Sequence, residues 1–213
     1  VVPSADGSLT LAPLKASADG KKPGDAGVPA ALSKDQVPAE AMFDVRPVDV
    51  HKKQRDADLR AVLGDPVKEG EAPKTAMLAP RSAPGQTLGV VHHDGQPDHA
   101  ALSPNGSPFA ISPDHDGFVQ LSVPITDAGT GDTRDALLTP PTSEERKAKP
   151  NAPLSLREAK KGRKPGEAEP RFAMVVVDPE TNAVAFVPVD QPNMVVVPSA
   201  DGSLTLAPLK ASA

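Results

Sequence analysis

The chain contains no cysteine, no tryptophan and no tyrosine, and only five of its 213 residues are phenylalanine. Without cysteine there can be no disulfide, no thiolate metal ligand and no cysteine nucleophile. Aromatic side chains normally supply much of a core's buried area. A core here must therefore draw largely on Val, Leu, Ala and a few Met. Long apolar runs are also missing. No stretch approaches the roughly 18 residues of a membrane span, so no membrane association is expected. No basic region followed by an apolar stretch opens the chain, so no signal peptide is visible. Strong charge of one sign is absent too. The formal net charge of −5 predicts neither general nucleic-acid binding nor membrane attraction.

What is abundant is proline, 26 residues of 213, about twice the usual share. Each proline fixes one dihedral and removes one backbone donor. Long helices and central strands become hard to place. The expected fold is mostly irregular and extended, with short β-hairpins and one or two short helices: a non-compact unit of a tandem array.

The array is suggested by an exact duplication. VVPSADGSLTLAPLKASA occupies Val1–Ala18 and recurs unchanged at Val196–Ala213, an offset of 195 residues. Chance does not give eighteen identical residues. Either the parent is an array with a 195-residue period, the reading adopted here, or an end was duplicated by engineering. A second, degenerate repeat lies at an offset of 20, where VVVDPETNAVAFVPVD (175–190) aligns with VVVPSADGSLTLAPLK (195–210). Each has a β-branched run, a turn of Gly/Asn/Asp type and a second run ended by proline, the pattern of a hairpin. SPDHDGFVQLSVP (112–124) is a looser relative with Asp116-Gly117 in its turn. The phrase apolar–small–Pro recurs at Leu11-Ala12-Pro13, Leu78-Ala79-Pro80, Leu102-Ser103-Pro104, Ile111-Ser112-Pro113 and Leu138-Thr139-Pro140, where proline would stop a ladder.

These signals divide the chain into a hairpin at 1–16, a linker at 17–47, a helix at 48–64 and a Pro-rich linker at 65–88. An acidic hairpin and loop region at 89–142 follows, then a basic Pro/Gly-rich segment at 143–171 and paired hairpins at 172–213. The helix rests on Val48, Leu59, Val62 and Leu63, with Gly64 at its C-cap. The acidic region carries seven Asp against Arg134, and the basic one nine Lys/Arg against five Glu. Such blocks would alternate along an array and help copies register, or simply be solvated charge. Ser155 and Glu158 have capping-box spacing, which predicts a short helix after Ser155.

Candidate chemistry is sparse. His92, His93, His99 and His115 lie among Asp94, Asp98, Asp114 and Asp116, residue types that suit a divalent metal. Their spacing matches no established ligand pattern, and Asp and His in Gly/Pro-rich loops are ordinary turn chemistry. Asp114-His115-Asp116-Gly117 resembles the start of a calcium loop, but the position needing Glu is Ile125, so it reads as a turn. No nucleophile elbow or phosphate loop occurs. No catalytic activity, cofactor or small-molecule substrate is expected. Lys160, Lys161, Arg163 and Lys164 form a basic patch. Without interleaved aromatics it lacks a stacking platform for single strands. An acidic protein partner suits it as well as phosphate does.

The 195-residue identity and hairpins such as DPETNAVAFVPVD are similar in style to the very large tandem-repeat cytoskeletal and flagellar proteins of protists, kinetoplastids especially. LSLREAKKG (154–162), with the later VDPETN, also resembles a phrase of the plakin repeat. The first resemblance implies a scaffold or spacer. Its partners would be a cytoskeletal polymer such as the microtubule, or neighbouring repeat units, and its location cytoplasmic, cytoskeletal or flagellar. No site residue transfers. The alternatives are a secreted or cell-surface repeat protein such as an adhesin stalk, a disordered interaction hub, and an engineered sequence.

Overall fold

The computed structural model describes residues 2–3, 9–10, 27–29, 31–48, 74–93, 96–114, 116–126, 130–158 and 169–210. The expected helix at 48–64 lies outside these residues except at Val48. Residues 65–73 of the Pro-rich linker at 65–88 lie outside them too, while its residues 74–88 form strand and turn rather than linker. Along the described chain run β1 (Val2–Pro3), β2 (Leu9–Thr10), β3 (Phe43–Pro47), β4 (Lys74–Pro80), β5 (Thr87–His93), β6 (Gln96–Ser103) and β7 (Phe109–Pro113). Then come β8 (Val119–Thr126), β9 (Thr133–Thr139), β10 (Ser155–Glu158), β11 (Phe172–Asp178), β12 (Ala183–Pro188), β13 (Met194–Pro198) and β14 (Leu204–Pro208). A 3-10 turn (Ala39–Ala41) precedes β3, and one helix, α1 (Ser143–Ala148), follows β9.

Seven of the nine prolines in the described strands stand at a strand's end, and two, Pro97 of β6 and Pro124 of β8, lie inside one. The last residue of β1, β3, β4, β7, β12, β13 and β14 is a proline. There it ends the ladder rather than removing a bond from its interior. The turns carry the matching chemistry. Gly117 and Gly202 both sit at φ +84°, a conformation that L side chains rarely adopt.

Ten strands form one antiparallel sheet in the order β11-β12-β3-β4-β7-β8-β9-β10-β6-β5. It closes on itself, because β11 also meets β8 at Phe172↔Val119. One edge of β8 is divided: Val119 faces β11, while Ser122–Thr126 pair with β9. Six strands therefore make a ring, and β9, β10, β6 and β5 extend from it. The hairpin β13–β14 joins this body through the bridge Ala101↔Ser203. Two more backbone bonds, Leu102 N–H to Gly202 O and Leu154 N–H to Leu204 O, each 2.8 Å, fix it to β6 and to the residue before β10.

All five phenylalanines, Phe43, Phe109, Phe118, Phe172 and Phe186, are buried. The main core fills the inside of the sheet with Phe43, Leu78, Leu121, Phe172, Phe186, Val196 and Leu204 among others. A second core lies on the other face of β11–β12. There Val175, Val187 and Val195 pack against Val28, Leu32, Val37 and Ala41. Every residue of β12 is buried for this reason.

These findings overturn the expectation of a mostly irregular, extended, non-compact unit. The protein is a compact antiparallel β fold. A high proline count argued against sheet on the assumption that prolines fall inside strands, whereas most strand prolines here end one. The linker at 17–47 is likewise corrected over its described part. Residues 27–29 and 31–42 form a strap across the outer face of β11–β12, held by Lys210 N–H to Gln36 O and Arg81 N–H to Met42 O, both 2.9 Å. The segment 143–171 also differs. Ser155–Glu158 is strand β10, not a helix, because Leu154 and Leu156 are core residues and Leu156 pairs with Leu138 of β9. The helix forms earlier, where Thr142 Oγ1 accepts from Glu145 N–H at 3.1 Å and the Glu145 carboxylate accepts from Thr142 N–H at 2.7 Å, a capping box.

Candidate functional site

The polar side chains that the fold brings together form three groups, the first two joining elements distant in sequence. The first surrounds Arg81, just after β4. Its Nε donates to Asp44 Oδ1 of β3 at 2.7 Å, and its other nitrogens reach Thr181 Oγ1 at 2.7 Å and Thr181 O at 2.9 Å. Asp178, at the end of β11, lies 3.7 Å from Arg81 and 2.8 Å from Lys34 Nζ of the strap. The Asp178 carboxyl is pulled down to about 2, first by the hydrogen bond from Lys34 and next by that from Thr181. One arginine and one lysine thus fasten strap, β3, β4 and the β11–β12 turn.

The second cluster surrounds Arg171, just before β11. Its Nη1 donates to Asp114 Oδ2 at 3.1 Å and to Asp116 Oδ2 at 3.0 Å. The guanidinium lies over the ring of Phe118, 5.2 Å from its centroid, within cation–π range. The other oxygen of Asp114 accepts from the N–H groups of Asp116 and Phe118, both at 2.9 Å. Asp114 thus shapes the turn between β7 and β8 and presents a carboxylate to Arg171. The Asp-x-Asp-Gly stretch is a turn tied to β11.

In the third cluster, Arg157 of β10 reaches Glu145 Oε1 at 3.2 Å. The backbone N–H of Thr142 is the main reason that the Glu145 carboxyl titrates below its ordinary value. Arg134 of β9 pairs with Glu158 of β10. Asp201 in the β13–β14 turn is lowered by the hydroxyl and N–H of Ser203. Asp178, Glu145 and Asp201 are all displaced toward the ionised form. A general acid working near neutrality needs the opposite displacement. These carboxylates are arranged as permanent acceptors, and what they do chemically is hold strands in place.

The expected metal candidates are dispersed. His92 Nδ1 lies 2.9 Å from Asp98 Oδ1 across β5–β6. His99 is the register partner of Val91, and since alternate residues face opposite sides of a sheet it points away from Asp98. The His93 side chain and the whole of His115 lie outside the described residues. Among the described residues no group of three or more His, Asp or Glu could hold a metal ion. Lys160, Lys161, Arg163 and Lys164 lie outside the described residues as well. Arg81, Arg171 and Lys34, the hubs of the first two clusters, were missed by sequence reasoning. No local motif marks any of them, and only the folded topology gives each its partners. The acidic and basic blocks do not remain separate surfaces. Arg171 from one binds Asp114 and Asp116 of the other, and Arg134 binds Glu158.

The inside of the sheet offers little room. A void of about 10 Å³ lies among Phe43, Leu78, Leu88, Leu121, Leu138, Phe186, Val196 and Leu204, a lining with no polar partner to hold water. Among the described residues no helix is long and apolar enough to cross a membrane. No family model, curated protein or solved structure matches the chain.

Proposed function

We propose that the chain is a structural module, one 195-residue unit of a tandem array that serves as scaffold or spacer. The observation that carries this reading is the position of the duplicated segment. In its second copy it is no appendage. Val196 and Leu204 are at most 1 % exposed in the main core, and Leu154 N–H donates to its backbone. The repeat therefore reproduces a core hairpin except for Met194 and Val195 at its start, as expected where one sequence period corresponds to one folded module. The short pairing at the other end runs in the same register: Val2↔Thr10 and Pro3↔Leu9 match Val197↔Thr205 and Pro198↔Leu204.

The partner in this proposal is a cytoskeletal polymer, following the resemblance to repetitive cytoskeletal and flagellar proteins. Modules at fixed spacing occupy equivalent lattice sites, and many weak contacts then sum to firm attachment. Co-sedimentation of a protein of three or more joined units with microtubules or actin filaments at low salt tests this. The polymer is expected to carry it into the pellet, and a protein that stays in the supernatant with both refutes the polymer partner. The array itself predicts Asp-Gly-Lys-Lys-Pro, the sequence of 19–23, immediately after Ala213 in the parent.

A further inference from the structure

The described residues form a seat for a hairpin that the sequence supplies twice. The seat holds the C-terminal copy over its described residues, 196–210. Its backbone contacts are the Ala101↔Ser203 bridge and bonds to Gly202 O, Leu204 O and Lys210 N–H. The N-terminal copy carries the same residues at these places: Ser8, Gly7, Leu9 and Lys15. The core positions Val196, Leu204 and Leu206 correspond to Val1, Leu9 and Leu11. Only Met194 and Val195, both buried, have no counterpart.

The N-terminal copy is also tethered beside the seat. Leu209 N–H donates to Asn193 O at 2.9 Å, so the hairpin leaves its seat next to Asn193. The adjoining Pro192 lies near the start of the strap, for a Cβ built on Gly27 would be 3.6 Å from Pro192 Cγ. The exit of the seat therefore lies near Gly27, the first described residue of the strap. Lys15, the counterpart of Lys210, is joined to Gly27 by residues 16–26, which extend to about 36 Å. The tether is more than long enough for residues 1–18 to enter from the N-terminal side.

We propose that the seat is a binding site for either copy, so that the domain closes in two mutually exclusive ways within one chain. With residues 196–213 seated, Met194 and Val195 complete both cores, and this closure predominates. With residues 1–18 seated, the C-terminal copy is released and the connectivity is circularly permuted. In an array, each unit could close on the hairpin before it or the one behind it. The inference stands on the duplication and the seat, independently of any polymer partner.

A double-mutant cycle in the full chain tests it, using Leu9→Asp and Leu204→Asp with thermal unfolding and molar mass by light scattering. Leu9→Asp alone is expected to leave the melting temperature unchanged. Leu204→Asp is expected to lower it while leaving a cooperative transition and a monomer, because the N-terminal copy takes the seat. The double variant is expected to melt at least about 10 °C lower again or to lose its transition, as for a core element lost outright. Equal behaviour of L204D and the double variant, including failure of both to fold, overturns the proposal. Formation of dimers by L204D overturns closure within one chain. A milder second test uses Leu204→Ala with Ser8→Cys and Ala101→Cys in this otherwise cysteine-free chain. Cross-strand partners lie about 5 Å apart at Cβ, so an intrachain disulfide is expected. Its absence, where Ser203→Cys with Ala101→Cys readily forms one, also overturns the proposal.

Discussion

Val37 gives the sharpest test of the packing, because its surroundings look like linker and its side chain is 1 % exposed. It lies in the second core with Phe118, Val175, Val187 and Val195. Val37→Ala removes two methyl-sized groups, worth about 1.6 kcal/mol in transfer at roughly 0.8 each. The space left behind adds a cavity cost, for a total of about 2–3 kcal/mol. Equilibrium unfolding in urea, with a slope of about 2 kcal/mol per molar, converts this to a midpoint lowered by about 1–1.5 M with the slope unchanged. Ala31→Ser, an exposed position in the same strap, is the control and is expected to stay within about 0.5 kcal/mol. A Val37→Ala midpoint indistinguishable from the control would refute the strap's packing and return residues 27–42 to the status of a linker.

Three further outcomes follow from the same contacts. Phe172→Ala, at the point where the ring closes and fully buried, is expected to cost about 3–5 kcal/mol by chemical denaturation. Thr142→Ala removes the helix cap and is expected to cost about 1 kcal/mol, readable as a small drop in melting temperature. Asp178 has its carboxyl held near 2, against an ordinary value of about 3.9. Its contribution is complete above about pH 4 and is lost as the pH falls toward 2, because the unfolded chain takes up the proton first. Melting temperatures between pH 5 and pH 2 should therefore fall, and Lys34→Met should flatten that part of the profile.

The local hairpins were legible in the sequence because their signals are local. Asp116-Gly117 and Asp201-Gly202 mark turns that the structure places between β7 and β8 and between β13 and β14. The prolines after Leu78-Ala79, Ile111-Ser112 and Leu206-Ala207 are where β4, β7 and β14 end. Compactness was not legible, because it depends on pairings such as Phe172↔Val119 and Val184↔Phe43 between segments far apart in sequence. The strap was missed for a related reason. Val28, Leu32, Val37 and Ala41 follow neither strand nor helix periodicity as a set, and their burial is set by the face of β11–β12. Ser155 shows the limit of a motif. It has the spacing of a helix cap, but Leu154 and Leu156 are needed in the core and the strand prevails. The polar clusters were least visible, since Arg81 and Arg171 acquire meaning only beside Asp44, Asp178, Asp114 and Asp116.

The central claim is that strap and C-terminal hairpin are integral to one folded β unit. Residue-resolved amide exchange on the full chain measures this most directly. The amides of Leu102, Leu154 and Lys210 donate to Gly202 O, Leu204 O and Gln36 O respectively. They should exchange as slowly as the interior of β8 and β12. Fast exchange at these three amides, with protection confined to isolated hairpins, would contradict the account.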